Sequence, residues 1–236
     1  MTSRRALALS AIAISGALAL AGCASGSTSP AATPAASGDA SALEVWAGWL
    51  DGGRAVAVVT QGSSSCVPTA SAVDLQADGS VAVTLDNPTG DVVCTADYAP
   101  RASLVSLPAG VDATQKIALT VSLDGGAPGE TVLSPYAGPE VADYAPSAGW
   151  VGDGMLAILT WGSSSCAPTV KDAVAGQTDI AVTFADLPDG QPCTMDMAPR
   201  VALAHVDGAT AASGMTATLS GGDAQFATPV TIPIAG

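Results

Sequence analysis

The amino-acid sequence predicts an all-β protein made of two tandem small β-sandwich domains, immunoglobulin-like in size, with one disulfide in each. Apolar residues alternate with polar ones, Gly/Asp-rich turns recur every ~8 to 12 residues, and the second half of the chain repeats the first. We expect a leader at 1–22, a tether at 23–41, repeat 1 at 42–137 and repeat 2 at 138–236.

The leader has the sequence pattern of an export signal. Arg4 and Arg5 precede an apolar stretch from Ala6 to Leu20, which is shorter than the roughly 20 residues of a membrane-spanning helix. The stretch ends in Leu-Ala-Gly-Cys at 20–23, which resembles the lipobox of bacterial lipoproteins. The resemblance implies that Cys23 carries diacylglycerol and anchors the protein at the extracytoplasmic face of the cell membrane. Alternatives are an ordinary secreted protein and a short uncleaved anchor, and the arginine pair leaves both the general and the twin-arginine export routes open.

The tether follows the lipobox directly. Residues 24–41 are almost entirely Ala, Gly, Ser, Thr and Pro, with one charge at Asp39. Such a segment has too few apolar side chains to offset its ordering entropy by burial. We therefore expect a flexible connection between the anchor and the folded part.

The charge excludes several kinds of function. The chain carries 21 acidic and 7 basic residues, a net charge of −14, which becomes −16 once the leader and its two arginines are removed. A surface this acidic repels phosphate backbones, so we expect no nucleic-acid partner. With one histidine and no spaced acidic calcium loop, the sequence predicts neither a metal site nor a cofactor.

The duplication is visible as matched motifs. The offset between them drifts from 101 to 99 residues, and each slip falls in a Gly/Asp-rich turn where length changes are tolerated. The matched segments are Gly48-Trp49 with Gly149-Trp150, Gly62–Cys66 with Gly162–Cys166, Val81–Leu85 with Ile180–Phe184, Cys94-Thr95 with Cys193-Thr194, and Ala99–Arg101 with Ala198–Arg200.

The predicted strands follow the apolar pattern. Period-2 alternation predicts strands at 81–85 and 117–123, whereas the continuously apolar runs at 55–59 and 155–159 indicate strands buried on both faces or at the centre of a sandwich. We count about seven strands per repeat. A true immunoglobulin domain is not expected, because no tryptophan lies between the paired cysteines of either repeat.

Four cysteines remain after Cys23 is lipidated, two in each repeat. The duplication selects the pairs Cys66–Cys94 and Cys166–Cys193, because each repeat must have folded alone, and export supplies an oxidising compartment. A zinc site made of all four thiolates is the alternative. It is disfavoured because zinc-binding cysteines come in close pairs, and these four are isolated.

The paired Gly-Ser-Ser-Ser-Cys strings, each followed by a Cys-Thr-x-Asp segment, resemble repeats of secreted lipoproteins from high-GC Gram-positive bacteria. The resemblance covers Trp49 to Leu123 and Trp150 to Leu219. That family has no assigned activity, so the resemblance implies a lipid-anchored cell-surface β protein and carries over no functional residue.

The repeated serines are the first candidates for chemistry. Ser63–Ser65 and their counterparts are adjacent hydroxyls, but a serine nucleophile needs an oriented base. The single histidine, His205, aligns with Ser106, and Lys116 and Lys171 have no counterparts. A tight turn beside the disulfide is therefore favoured over an anion-binding nest of N–H groups and over a nucleophile.

One charged pair also occurs in both halves, Asp97 with Arg101 and Asp196 with Arg200. We expect Asp97 on a strand through 94–98, facing away from the disulfide. Arg101 is expected to pair with it or to bond to loop carbonyls, and contact with a ligand is the less favoured alternative. Trp49 and Trp150 match and are expected to pack, whereas Trp161 replaces Gln61 and either packs or contacts a ligand. The candidate ligand contacts are Ser163, Ser164, Ser165, Trp161, Arg200 and Asp196.

These observations favour a non-catalytic binding or scaffold module of the cell envelope, with an envelope protein or a glycan as partner and the membrane reached through the lipid. The alternative is an envelope hydrolase that uses loop serines or carboxylates. A solute-binding protein is disfavoured because no βαβ rhythm is present.

Overall fold

The computed structural model of the chain describes residues 42–222 and 224–236, which lie in one compact unit. Within them are fourteen strands and two short 3-10 segments, Asp51–Gly53 and Ala224–Phe226. The strands of repeat 1 are β1 (Trp46–Leu50), β2 (Ala55–Gly62), β3 (Thr69–Leu75), β4 (Val81–Asp86), β5 (Ala99–Ser106), β6 (Ile117–Leu123) and β7 (Gly129–Leu133). Those of repeat 2 are β8 (Ser147–Gly152), β9 (Met155–Gly162), β10 (Val170–Ala175), β11 (Asp179–Phe184), β12 (Ala198–His205), β13 (Thr216–Gly221) and β14 (Val230–Ala235).

The predicted all-β class is confirmed, since the described residues contain no α-helix. The alternating segments predicted as strands lie in β4 and β6, and the continuously apolar runs lie in β2 and β9. None of the described residues belongs to a helix that is long and apolar enough to span a membrane. The leader, the tether and Cys23 lie outside the described residues, and the predictions made for them stay predictions.

The strands form three hydrogen-bonded sheets. Their strand orders are β1-β2-β5, β3-β4-β6-β7 and β10-β11-β13-β14-β8-β9-β12. β4 pairs in parallel with β6, and β11 with β13, because the intervening strands β5 and β12 pair elsewhere. In repeat 2, β14 also pairs in parallel with β8, which joins the two parts of the seven-stranded sheet.

The finer prediction, two tandem immunoglobulin-like sandwiches, is wrong. Such sandwiches consist of antiparallel sheets and do not need to share an apolar cluster with a neighbouring domain. Here each repeat contains a parallel strand pair, and a third apolar cluster lies between the repeats. The pattern of apolar residues shows that β2 and β9 are buried on both faces. It does not show that the second face of each strand packs on the other repeat.

Strands β2 and β9 each contribute to two apolar clusters. Val56 and Val58 of β2 point into the core of repeat 1, while Ala57 and Val59 point into the cluster shared with repeat 2. In β9 the same division places Leu156 and Ile158 in the core of repeat 2, and Ala157 and Leu159 in the shared cluster. Both strands are therefore buried on both faces, as their continuously apolar sequences predict.

The repeats approach each other closely where β1 meets β8. A Cβ placed on Gly48 would lie 2.4 Å from the carbonyl oxygen of Trp150, and one placed on Gly149 would lie 2.0 Å from the carbonyl oxygen of Trp49. The two contacts are reciprocal. The glycine of each Gly-Trp motif is therefore required by the contact between the two backbones rather than by a turn.

The tryptophans of these motifs pack into the cores, as predicted. Trp49 is 5% exposed and belongs to the core of repeat 1, and Trp150 is 6% exposed and belongs to the core of repeat 2. The indole Nε1 of Trp49 donates to the carbonyl oxygen of Ser134 at 2.7 Å. Trp49 also packs edge to face on Tyr136, with ring centroids 5.8 Å apart.

The disulfides are the two predicted from the duplication. Cys66 is bonded to Cys94, and Cys166 to Cys193, with Cα–Cα distances of 5.5 and 5.6 Å. All four cysteines are thereby used within their own repeats, which removes the four-thiolate zinc site that was the alternative.

Candidate functional site

The two Gly-Ser-Ser-Ser-Cys motifs form equivalent turns at the ends of β2 and β9. We call residues 63–66 the first serine loop and residues 163–166 the second. In each, the cysteine N–H donates to the carbonyl oxygen of the first serine, at 3.2 Å in the first loop and 3.3 Å in the second. The cysteine that ends each loop is buried, whereas the second and third serines are exposed. The sequence-predicted turn beside the disulfide is present in both repeats.

A threonine hydroxyl stands at the centre of the first serine loop. Thr95 Oγ1 lies 2.8 Å from Ser63 Oγ, 3.3 Å from Ser65 Oγ and 3.4 Å from Ser64 Oγ. The Thr95 N–H donates to Ser65 Oγ at 2.9 Å, and its hydroxyl donates to the carboxylate of Asp97. The disulfide brings residues 94–97 next to the loop. The serine hydroxyls are therefore hydrogen-bonded to Thr95 and are not open to a ligand on all sides.

The second serine loop repeats this network. Thr194 Oγ1 lies 2.8 Å from Ser163 Oγ and 3.3 Å from the hydroxyls of Ser164 and Ser165. The Thr194 N–H donates to Ser165 Oγ at 3.0 Å, and its hydroxyl donates to Asp196. The structure therefore brings together four of the predicted contacts, the three serines and the aspartate, on a threonine that the prediction did not include.

Each aspartate also accepts a hydrogen bond from a backbone N–H of its serine loop. Asp97 Oδ1 accepts the Ser64 N–H at 3.1 Å, and Asp196 Oδ1 accepts the Ser164 N–H at 3.0 Å. The strand predicted through 94–98 is wrong, because these residues form no strand and β5 begins at Ala99. The disulfide and the serine loop impose an irregular path on this segment, and Asp97 faces the loop.

Hydrogen bonding lowers the pKa of both carboxyls. Bonds from the Ser64 side chain, the Thr95 side chain and the Ser64 N–H lower the pKa of Asp97 to about 2. Bonds from Thr194 and then Ser164 lower the pKa of Asp196 still further. Donors that favour the charged form make a carboxylate a weak proton acceptor near neutral pH.

The arginines lie beneath the loops and reach carbonyl oxygens. Arg101 is 6% exposed and Arg200 is 4% exposed. Arg101 Nη1 donates to the carbonyl of Cys66. Arg200 donates from Nη1 to the carbonyl of Cys166 at 3.0 Å and from Nη2 to that of Trp161 at 3.1 Å. Of the roles considered for the arginines, these contacts show hydrogen bonding to loop carbonyls.

The glycine that precedes each serine loop makes room for the arginine. A Cβ on Gly62 would lie 2.5 Å from Arg101 Cζ, and a Cβ on Gly162 would lie 2.8 Å from Arg200 Nη2. A side chain at either position would displace the guanidinium from the loop carbonyls. The repeated Gly-Ser-Ser-Ser-Cys string is therefore explained jointly by the turn, the disulfide and the buried arginine.

Trp161 is half-buried at the start of the second serine loop. Its ring packs edge to face on Tyr144, with centroids 5.1 Å apart, and against the apolar cluster shared by the repeats. Trp161 also lines a groove of about 470 Å³ that includes Ser163, Leu187 and Met197. Both roles considered for it are thus compatible with its position.

Exposed apolar side chains surround the loops, and the prediction did not include them. Met195 is fully exposed, and Met197 and Tyr98 are 61% and 77% exposed. They lie in the segments that carry the second cysteine of each disulfide. The signal in the sequence was the presence of large apolar residues in segments flanked by Pro and Gly residues.

The histidine lies far from the serines. Ala198 of β12 pairs with Gly162 next to the second serine loop, whereas His205 pairs with Met155 at the opposite end of the strand. Seven residues of strand span roughly 23 Å. The imidazole is exposed and lies 3.2 Å from Asp207. In the part of the chain that the structure describes, no group of three or more His, Cys, Asp or Glu side chains is placed to hold a metal ion.

The depressed carboxyl pKa values predict an acid-dependent loss of stability. A group whose pKa is lower in the folded state contributes stability above its unfolded pKa, and the contribution disappears as pH falls through the folded value. We therefore expect an Asp97→Asn/Asp196→Asn variant to be less stable than the wild type at pH 7. The difference should shrink as pH falls below about 4, because the unfolded chain binds protons there that the folded carboxylates accept only at about pH 2 and below.

Urea midpoints of the full chain, measured from pH 7 to pH 2, check this expectation. An Asp189→Asn variant, in an exposed turn of the same region, serves as the control and should follow the wild type. A difference between the double variant and the wild type that stays constant with pH would contradict the hydrogen-bond assignment.

Comparison with protein-family models, curated proteins and solved structures finds no match to this chain.

Proposed function

We propose that this chain is a lipid-anchored protein of the cell envelope that binds an envelope protein or a glycan without catalysing a reaction. The anchor rests on the lipobox at 20–23 and on the apolar leader before it. In this proposal the tether at 23–41 separates the lipid on Cys23 from the folded repeats. Recognition is assigned to the second serine loop and its surroundings.

The observation that carries the proposal is the groove beside the second serine loop. Its volume is about 470 Å³, and it combines the Ser163 position with the side chains of Trp161, Leu187 and Met197. Aromatic and apolar walls next to a few fixed polar groups are typical of recognition sites. Met195, which follows Thr194 in the chain, is fully exposed and offers a further apolar side chain in this segment.

The chemistry of the serine loops supports binding rather than turnover. Each serine hydroxyl of the second loop lies within hydrogen-bond distance of Thr194, and the adjacent carboxylate already accepts bonds from that threonine and from Ser164. A serine nucleophile needs a base that takes its proton. Asp196, with its lowered pKa, is a poor candidate for that role.

Site-specific photo-crosslinking tests the recognition surface. A photoreactive residue is introduced at Met195 in the full chain, and a matched control carries it at the exposed Glu130 of β7. We expect the same discrete adduct with an envelope protein or glycan from Met195 in intact cells, and none from Glu130. Adducts of equal yield from both positions would contradict recognition at the second serine loop.

The anchor and the absence of catalysis have separate tests. Mass spectrometry of the mature N-terminus should find diacylated Cys23, and a Cys23→Ala variant should leave the membrane fraction.

A hydrolase substrate panel on the purified chain should show no turnover. Turnover that is lost in both Ser165→Ala and Asp196→Asn, with folding intact, would favour the envelope hydrolase instead.

A further inference from the structure

The groove beside the second serine loop has mainly apolar walls. Trp161, Leu187 and Met197 line it, together with the disulfide between Cys166 and Cys193. Of these side chains, Met197 is the most exposed, at 61%. Methionine is flexible and polarisable, and it is common on surfaces that accept apolar side chains of protein partners. The groove therefore offers packing contacts to an apolar group of a ligand.

The polar groups of this groove are already engaged within the chain. Among the described residues of the lining, the polar side chains are those of Ser163 and Gln225. Ser163 Oγ lies 2.8 Å from Thr194 Oγ1, and Gln225 also interacts with another group of the chain. The indole Nε1 of Trp161 is buried and out of a ligand's reach. A sugar presents many hydroxyls that need free donors and acceptors, so these contacts favour a protein segment over a glycan.

Acidic residues flank the apolar residues of the groove in the sequence. Asp186 and Asp189 stand on either side of Leu187, and Asp196 directly precedes Met197. All three aspartates are exposed. None of them lies within salt-bridge distance of a basic residue in the part of the chain that the structure describes. Their charges are therefore open to a partner.

The surrounding sequence supplies no cation that would neutralise these aspartates. Residues 172–199 contain no lysine, arginine or histidine. Arg200, the next cation along the chain, is 4% exposed and donates to loop carbonyls. Asp196 accepts the bonds from Thr194 and Ser164 through Oδ1, and its Oδ2 has no partner among the described residues. An uncompensated negative potential beside an apolar groove is complementary to a cationic partner.

We propose that the groove beside the second serine loop binds an exposed segment of an envelope protein in which apolar residues are flanked by lysines or arginines. The apolar side chains of the segment pack against Trp161, Leu187 and Met197, and its cations lie near the aspartates that flank them. This partner chemistry rests on the recognition surface proposed above. It narrows the partner from a protein or a glycan to a basic, partly apolar protein segment.

Spectra of the full chain, labelled at the methionine methyl groups, measure binding. The probe is acetyl-Lys-Lys-Leu-Phe-Lys-Lys-amide, and we expect it to shift the Met195 and Met197 methyls saturably, with a Kd on the order of 1 mM or below. The methyls of Met155 and Met215 do not line the groove and should not shift. Replacing all four lysines of the probe by Glu, or its Leu-Phe by Ser-Ser, should weaken binding by about tenfold or more. Chitotriose, the glycan probe, should give no saturable shift.

Variants of exposed side chains separate the apolar and the charged contributions. Met195→Ala introduces the residue found at the equivalent position of repeat 1 and should raise the Kd by about fivefold. Asp186→Asn/Asp189→Asn should raise it by a similar factor at low salt, and by less at high salt, where screening already weakens the attraction. Asp74→Asn/Glu130→Gln removes two exposed charges from repeat 1 instead and should leave the Kd within about twofold.

Three results would overturn the proposal. The first is the absence of saturable methyl shifts with the basic apolar peptide, and the second is equal binding of the glutamate or serine peptide. The third is a shift of the same methyls by chitotriose alone, which would assign the groove to a glycan. Each of these results leaves the recognition surface itself standing if Met195 still gives its discrete crosslink in cells. Equal crosslinking from Met195 and Glu130 rejects that surface, so the two failures are distinguishable.

Discussion

A Gly149→Ala substitution is expected to lower the free energy of unfolding by about 3 kcal/mol or more, because the new Cβ has no space. It would lie 2.0 Å from the carbonyl oxygen of Trp49, and the neighbouring Trp49 carbon and nitrogen lie at 3.0 and 3.3 Å. All three are backbone atoms of a buried strand, so no side chain can rotate away. Relief requires the separation of β1 from β8, which opens the apolar cluster between the repeats.

Urea denaturation of the full chain measures this effect, and Gly79→Ala is the control. Gly79 has a positive φ of 86°, but a Cβ there would meet no atom within 4 Å. The control therefore carries backbone strain alone, a cost of about 1 kcal/mol. Gly48→Ala, with a Cβ 2.4 Å from the carbonyl oxygen of Trp150, should resemble Gly149→Ala. Equal losses at Gly79 and Gly149 would contradict the close contact between the strands.

The second large effect is expected from removal of a disulfide. A Cys166→Ala/Cys193→Ala variant should lose roughly 3.5 kcal/mol of stability by the loop-closure estimate for a loop of this length. The cross-link spans 27 residues, between the serine loop at the end of β9 and the segment before β12. Its loss also frees Thr194 from the second serine loop, because the disulfide holds the two segments together.

The double variant of the other pair, Cys66→Ala/Cys94→Ala, should show a similar loss, since its cross-link spans 28 residues. Denaturation with and without reductant is the measurement. Reductant should destabilise the wild type more than either double variant, and a variant lacking all four cysteines should not respond to it. A loss below about 1 kcal/mol would mean that the denatured chain gains little freedom when the bond is absent.

Much of the fold was predictable because the duplication tests each local pattern twice. Two matching alternations, as in β4 and β11, leave little doubt about a strand, and two matching cysteine pairs select one connectivity. The packing of the repeats on each other was not predictable. An apolar run shows that both faces of a strand are buried but does not identify the partner of the second face.

The candidate site was predictable in its composition and not in its bonding. The serines, aspartates and arginines of the motif were recognisable because they recur, but sequence adjacency linked Asp97 to Arg101. The structure instead links Asp97 to Ser64 and Thr95, which become neighbours through the disulfide.

The reciprocal contact of Gly48 and Gly149 has the form of an isologous interface, the kind that joins two identical subunits about a two-fold axis. In this chain the two partners are covalently linked through residues 134–146, so their association no longer depends on protein concentration. In a dimer of identical chains, a substitution that improves one binding site appears in both. The fused pair is free of that constraint. One repeat carries Trp161 and Met195 where the other carries Gln61 and Ala96, and a single chain can therefore present two different surfaces on one symmetric frame.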